Sequence, residues 1–165
     1  MTVPRAVDTS RRLVGWLAKM FGTPGTERDL VAELIADYRA EAEHAAHLRE
    51  HAERARYSQA AEAMRALADR EDAHAEALRD LILSLGGGVP PIAPEPLPGR
   101  NPWERAVAVH EAAQAKRRQL ITRINAWDPG QPEVVRVLRA IEREDAAALS
   151  AYDDLVMKAD PHSVD

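Results

Sequence analysis

"DREDAHAEAL", residues 69–78, and "EREDAAALSA", residues 142–151, read as two copies of one acidic segment, and only the first keeps a histidine. Around the first copy, apolar residues recur at steps of three and four: Met64 and Leu67 before it, Leu78 and Leu81 at and after its end. That spacing puts them on one face of a helix, and the two missing members of the face are Glu71 and His74. The second copy has the same frame, with Leu138 and Ile141 before and Tyr152 and Leu155 after, and its missing members are Asp145 and Ala148. Glu-x-x-His therefore sits where core residues belong. The repeat reads as a structural duplication whose second copy has lost its imidazole and shortened its carboxylate.

Working outward, the rest of the chain is written in the same helical idiom. It has 165 residues, rich in Ala, Glu, Arg and Leu, with few aromatics and no run of period-two alternation. The spacing predicts an all-α protein. A short amphipathic helix is expected over about 10–21, and "FGTPGT" breaks the chain after it. A first long helix starts at Thr26 and runs to about Arg56, and a second runs from Ser58 to just before Gly86. A third opens on "NPWE", with Asn101 as N-cap, Pro102 at the first helical position and Glu104 two residues on, and ends near Trp127. The fourth runs from about Pro132 to Lys158. This divides the chain into an N-terminal helix and linker (1–25), a bundle (26–158) and a loose tail (159–165).

Six of the eleven prolines fall between the second and third helices, in "GGGVPPIAPEPLPGRNP". Such a stretch favours an extended conformation of about 3.1 Å per residue, so about 15 residues span roughly 45 Å. A helix of about 28 residues is roughly 42 Å long. The connection can therefore cross the whole bundle lengthwise and join two antiparallel hairpins into a four-helix bundle.

That topology brings polar residues to one level. The first helix presents Val31, Leu34, Tyr38, Glu41, Ala45, Leu48 and Ala52 at core spacing. Reflected through the first turn, Glu41 falls between Glu71 and His74. The third helix is read as Trp103, Val107, His110, Gln114, Ile121 and Ile124, so that Asp145 reflects near Gln114 and Ala148 near Glu111. Buried carboxylates without a cation cost several kcal/mol each, on the order set by their lost hydration. Protons, Arg117 of the third helix or a metal ion could neutralise them. Carboxylate oxygens with an imidazole suit iron, manganese or zinc.

On these residues the chain resembles the ferritin-like superfamily, and within it rubrerythrin-like proteins. The likeness rests on Glu41 with Tyr38 one turn earlier, "EDAHAEAL" at 71–78, "LGG" at 85–87, "HEAAQ" at 110–114 and "IEREDAAAL" at 141–149. It implies a four-helix bundle that holds metal through a Glu on each of two helices and Glu-x-x-His on the other two. Carried over by position, Glu41, Glu71 and His74 match one half-site. Glu111 is the nearest match for the third-helix carboxylate, and Asp145 for the fourth-helix one. Ala148, or Ala147 on an alignment starting from Glu144, stands where the second histidine would be, and His110 is a candidate to replace it. The resemblance implies mono- or dinuclear iron, with manganese or zinc as alternatives, and oxidation of ferrous iron by dioxygen or peroxide. Tyr38 is then a neighbouring redox group, and Glu71 a bridging ligand. The alternative is a non-enzymatic interaction protein with a metal-free core, leaving open whether the chain is an enzyme.

Other features bound the reading. With no cysteine there is no disulfide, thiolate metal site or rubredoxin-type module. A formal net charge of −5 and no basic stripe argue against nucleic acid. No phosphate-binding loop or nucleophile elbow is visible. The start lacks the pattern of a secretion signal, so a cytoplasmic protein and a homodimer are expected. His44, His47 and His51 share a helix face, as a second metal site or as part of a solvated face with Glu43 and Glu50, and His44 lies nearest the core. The 10–21 helix is expected to dock on the bundle or a second subunit, with an anionic membrane as the other candidate.

Overall fold

The computed structural model describes residues 27–159. Four helices fill it: α1 (Glu27–Glu53), α2 (Ser58–Ser84), α3 (Pro102–Trp127) and α4 (Pro132–Lys158). The expected short helix over 10–21 and the tail beyond residue 159 lie outside the described residues. Among the described helices none is long and apolar enough to cross a membrane.

Local signals set the ends. Asn101 accepts from the Glu104 backbone N–H at 2.8 Å and caps α3, with Pro102 following in the first turn. At the end of α2, Gly86 has a φ of 76°, Gly86 N–H donates to the Leu83 carbonyl and Gly87 N–H to the Ile82 carbonyl. This is a Schellman ending, which needs a residue in the left-handed region and so favours glycine.

The connection between α2 and α3 runs the length of α1. It leaves beside Val31, which a Cβ on Gly87 would meet at 2.7 Å. Farther on, His47 Nε2 donates to the Glu95 carbonyl at 2.8 Å, and the Leu97 N–H donates to Glu50 at 2.9 Å. Leu97 is buried and joins the core. The long crossover expected from the prolines is thus built, and His47 serves to hold it.

Because the crossover returns the chain to the other end, every neighbouring helix pair is antiparallel. α1 packs on α2 and α3, and α4 packs on α3 and α2. Two apolar clusters result. One holds Leu48, Met64, Leu67, Val109 and Leu155, and the other Leu30, Leu34, Leu78, Ile82, Leu120, Leu138 and Ile141. Each fully buried leucine or isoleucine contributes about 1.5–3 kcal/mol. Between the clusters lies a layer of buried polar residues.

The buried faces of α2 and α4 follow the predicted phase, with Glu71, His74, Asp145 and Ala148 all buried. α3 does not. Its buried residues are Arg105, Ala106, Val109, Ala113, Lys116, Leu120, Ile124 and Trp127, and from Ala106 to Leu120 they run one residue out of step with the predicted seam. Trp103, Gln114 and Ile121 face solvent. In α1 the buried member is Asp37 rather than Tyr38, because Gln119 and Arg123 of α3 donate to it at 2.7 and 2.6 Å.

Candidate metal centre

The polar layer takes Glu41 and His44 from α1, Arg70, Glu71 and His74 from α2, Lys116 from α3, and Asp145 and Tyr152 from α4. The three-residue spacing of Glu41 with His44 in α1 and of Glu71 with His74 in α2 turns each pair of ligand-type side chains inward together. Glu41, His44, Glu71, His74, Lys116, Asp145 and Tyr152 are all buried.

Two positions can be distinguished within the layer. At the first, one ligand atom each of Glu41, His74 and Asp145 lies within 4.8 Å of the others. His74 Nδ1 is 3.7 Å from Glu41 Oε2 and 3.6 Å from Asp145 Oδ1. His74 Nε2 is 3.0 Å from Glu144 Oε2. A carboxylate there accepts the ring N–H, so Nε2 is a donor and Nδ1 faces inward toward Glu41 and Asp145. His74 Nδ1 and Asp145 Oδ2 are buried and have no hydrogen-bond partner. Unpartnered buried polar atoms are costly, and one of them is the Nδ1 that faces Glu41 and Asp145. The donor set, two carboxylates and an imidazole, fits a first-row metal ion.

At the second position stands Lys116. Its Nζ donates to both Glu41 and Glu71. Glu71 is further held by Tyr152, whose hydroxyl donates to Oε1 at 2.8 Å, and by Arg70 at 2.8 Å to the same oxygen. His44 closes this side, with Nδ1 4.0 Å from Glu71 Oε2 and its ring 5.4 Å from that of Tyr152. Neither ring nitrogen of His44 has a hydrogen-bond partner. A metal does not fit this position while the ammonium is in it.

The electrostatics follow from burial and pairing. Burial pushes the Glu41 carboxyl up to about 7, against the pull of His74 and Lys116. Burial works in the same direction on Glu71. There the hydrogen bond with Glu41 and the Lys116 charge prevail, and Glu71 stays ionised well below the usual carboxylate range. Burial also raises Asp145. For His74 burial favours the neutral ring, but Glu41, Glu144 and Asp145 outweigh it and raise the pKa. Burial pushes His44 down to about 3, so it is a neutral imidazole. Glu41, Glu71 and Asp145 thus share the layer with the cations Lys116 and Arg70, and with His74, whose charged form they favour.

Of the residues predicted from sequence, Glu41, Glu71, His74 and Asp145 come together. His110 and Glu111 do not join them. The rotated phase of α3 leaves Glu111 exposed and turns His110 outward, where it meets Asp153 at 2.9 Å and Gln114 at 3.2 Å. Arg117 pairs with Glu142 at 2.8 Å, so the neutralising cation is its neighbour Lys116. Tyr38 packs against the apolar cluster at the α1 start, and the hydroxyl on Glu71 belongs to Tyr152. Glu41 Oε2, rather than Glu71, is the oxygen shared between the two positions. The seam of α4 already contained Tyr152, read there as apolar. Lys116 left no signal in a seam stepped from Trp103.

A crossover bundle of two antiparallel hairpins with a mid-bundle layer of acids and histidine is a ferritin-like fold. Its first hairpin is more specific: residues 25–90 match the Rubrerythrin family model, a span that contains Glu41, Glu71 and His74. No curated protein and no solved structure matches the chain.

Proposed function

We propose that this chain binds one metal ion, through Glu41, His74 and Asp145, and that iron is its native metal, with manganese or zinc as competitors. The observation that carries the reading is the convergence of three buried ligand atoms from α1, α2 and α4, two of them on side chains with an unpartnered buried atom. A bound iron would supply one-electron redox chemistry toward dioxygen or peroxide. The protein's part is to present the donors and manage charge. Glu144 orients His74, Glu41 gives up its proton on binding, and Lys116, Arg70 and Tyr152 hold Glu71 fixed beside the site. The apolar clusters pack on either side of the layer.

The test is metal content by mass spectrometry of protein purified without a metal-affinity tag, beside a His74→Ala/Asp145→Asn variant. About one iron per chain, lost in the variant, is expected. No bound metal in wild type after reconstitution overturns the reading.

Lys116 supports a second reading, in which the bundle is a metal-free scaffold for protein contacts and the ammonium alone balances Glu41 and Glu71. Replacing a buried ionic group by apolar residues is then tolerated or stabilising. Glu41→Leu/Glu71→Leu/Lys116→Met, which removes the ammonium together with both of its acid partners, separates the two. The scaffold reading expects a variant as stable as wild type whether or not metal is added. The metal reading expects metal to raise the melting temperature of wild type only.

A further inference from the structure

We infer that Lys116 is a tethered cation built into the place a second metal would take, flanked by Glu41, Glu71 and His44, so that the layer accepts one metal rather than two. The ammonium is buried and reaches both carboxylates. A lysine supplies donors but no acceptor or lone pair, so it satisfies oxygens and cannot act as a ligand while charged. His44 is the second observation. It is 2% exposed, its Nδ1 lies 4.0 Å from Glu71 Oε2, and both ring nitrogens are without a hydrogen-bond partner. A buried imidazole beside an acid pair, with neither nitrogen hydrogen-bonded, is a metal donor whose place is filled by a group it cannot coordinate.

The surroundings agree. The lysine enters beside a cleft of about 230 Å³ between α1 and α3, lined by Ala40, His44, Ala112, Ala115 and Lys116 among others. The alanines leave a path from solvent to His44 and the lysine stem. A monovalent ammonium in place of a divalent ion also leaves more negative charge for the neighbouring position, where Glu41 Oε2 is shared. Lys116 is thus a positioning residue that sets metal number. The inference rests on the single-metal reading for that neighbouring position alone.

Binding of Mn(II), which stays divalent, to chelator-treated full-length protein tests it by equilibrium dialysis. Wild type is expected to bind one equivalent per chain and Lys116→Met two, with Lys116→Met/His44→Ala returning to one. Two equivalents in wild type, or no gain in Lys116→Met, overturns the inference. A second equivalent kept in the double variant removes His44 from it. None in wild type and one in Lys116→Met sustains the inference while sinking the single-metal function. If Lys116→Met is unfolded in chelator, circular dichroism replaces dialysis. Refolding on Mn(II) addition supports the inference, and failure to refold at saturating Mn(II) overturns it.

Discussion

Replacing His44 by leucine should remove a specific part of the protein's acid sensitivity. His44 is neutral when folded, because burial depresses it to about 3, while an unfolded histidine titrates near its ordinary 6.5. A group whose folded pKa is depressed binds more protons unfolded than folded between those two values. Its contribution to stability is therefore intact above pH 6.5 and is lost as pH falls toward 3. At pH 4.5 the unfolded imidazole is about two pH units below its pKa, which costs the folded state ~3 kcal/mol relative to pH 7.5. Leucine cannot titrate, and it removes two ring nitrogens that have no hydrogen-bond partner, so the variant should be no less stable than wild type at neutral pH. The assay is urea unfolding of both proteins in chelator at pH 7.5 and 4.5. Acids away from the polar layer titrate alike in both proteins and cancel in the double difference. Wild type should lose ~3 kcal/mol more than His44→Leu on acidification. Equal losses would refute the reasoning, because they would mean the imidazole is free to protonate in the fold.

Other perturbations reach different parts of the account. Glu144→Ala, which frees His74 Nε2, should weaken metal binding about 10–100-fold in a competition titration while leaving apo stability nearly unchanged, since Glu144 is mostly exposed. An unchanged affinity would show that the imidazole needs no orienting carboxylate. Gly99→Ala should destabilise the apo protein by about 1–3 kcal/mol in urea, because Gly99 has a φ of 122° and a Cβ would sit 2.7 Å from the Arg105 backbone nitrogen. A neutral effect would mean that the crossover can shift at little cost.

Much of this arrangement is legible in the sequence, for physical reasons that differ by element. In α2 and α4 the polar layer is framed by Met64, Leu67, Leu78, Leu138, Ile141 and Leu155, large apolar residues that fix the helix phase and place Glu71, His74 and Asp145 inward. The crossover is legible from its prolines, which set both its stiffness and its reach. α3 is not legible in the same way. Its inward face runs through Ala106, Val109, Ala113 and the charged Lys116 before it reaches Leu120, Ile124 and Trp127, while Trp103 and Ile121 lie on the exposed side. Stepping from the largest apolar residues therefore rotates the helix by one position, promotes His110 and Gln114, and puts Arg117 where Lys116 stands. Asp37 displaces Tyr38 from the core of α1 for a related reason. Its burial depends on Gln119 and Arg123 of another helix, a tertiary compensation that spacing along α1 does not encode.

The central claim is a single metal held by Glu41, His74 and Asp145 with Lys116 beside it. The most direct measurement is anomalous diffraction from a crystal of the wild-type protein equilibrated with Mn(II). The account predicts one anomalous peak per chain, among Glu41, His74 and Asp145, with Lys116 still in contact with Glu71. No peak in the layer, or two peaks with the lysine displaced, would contradict it.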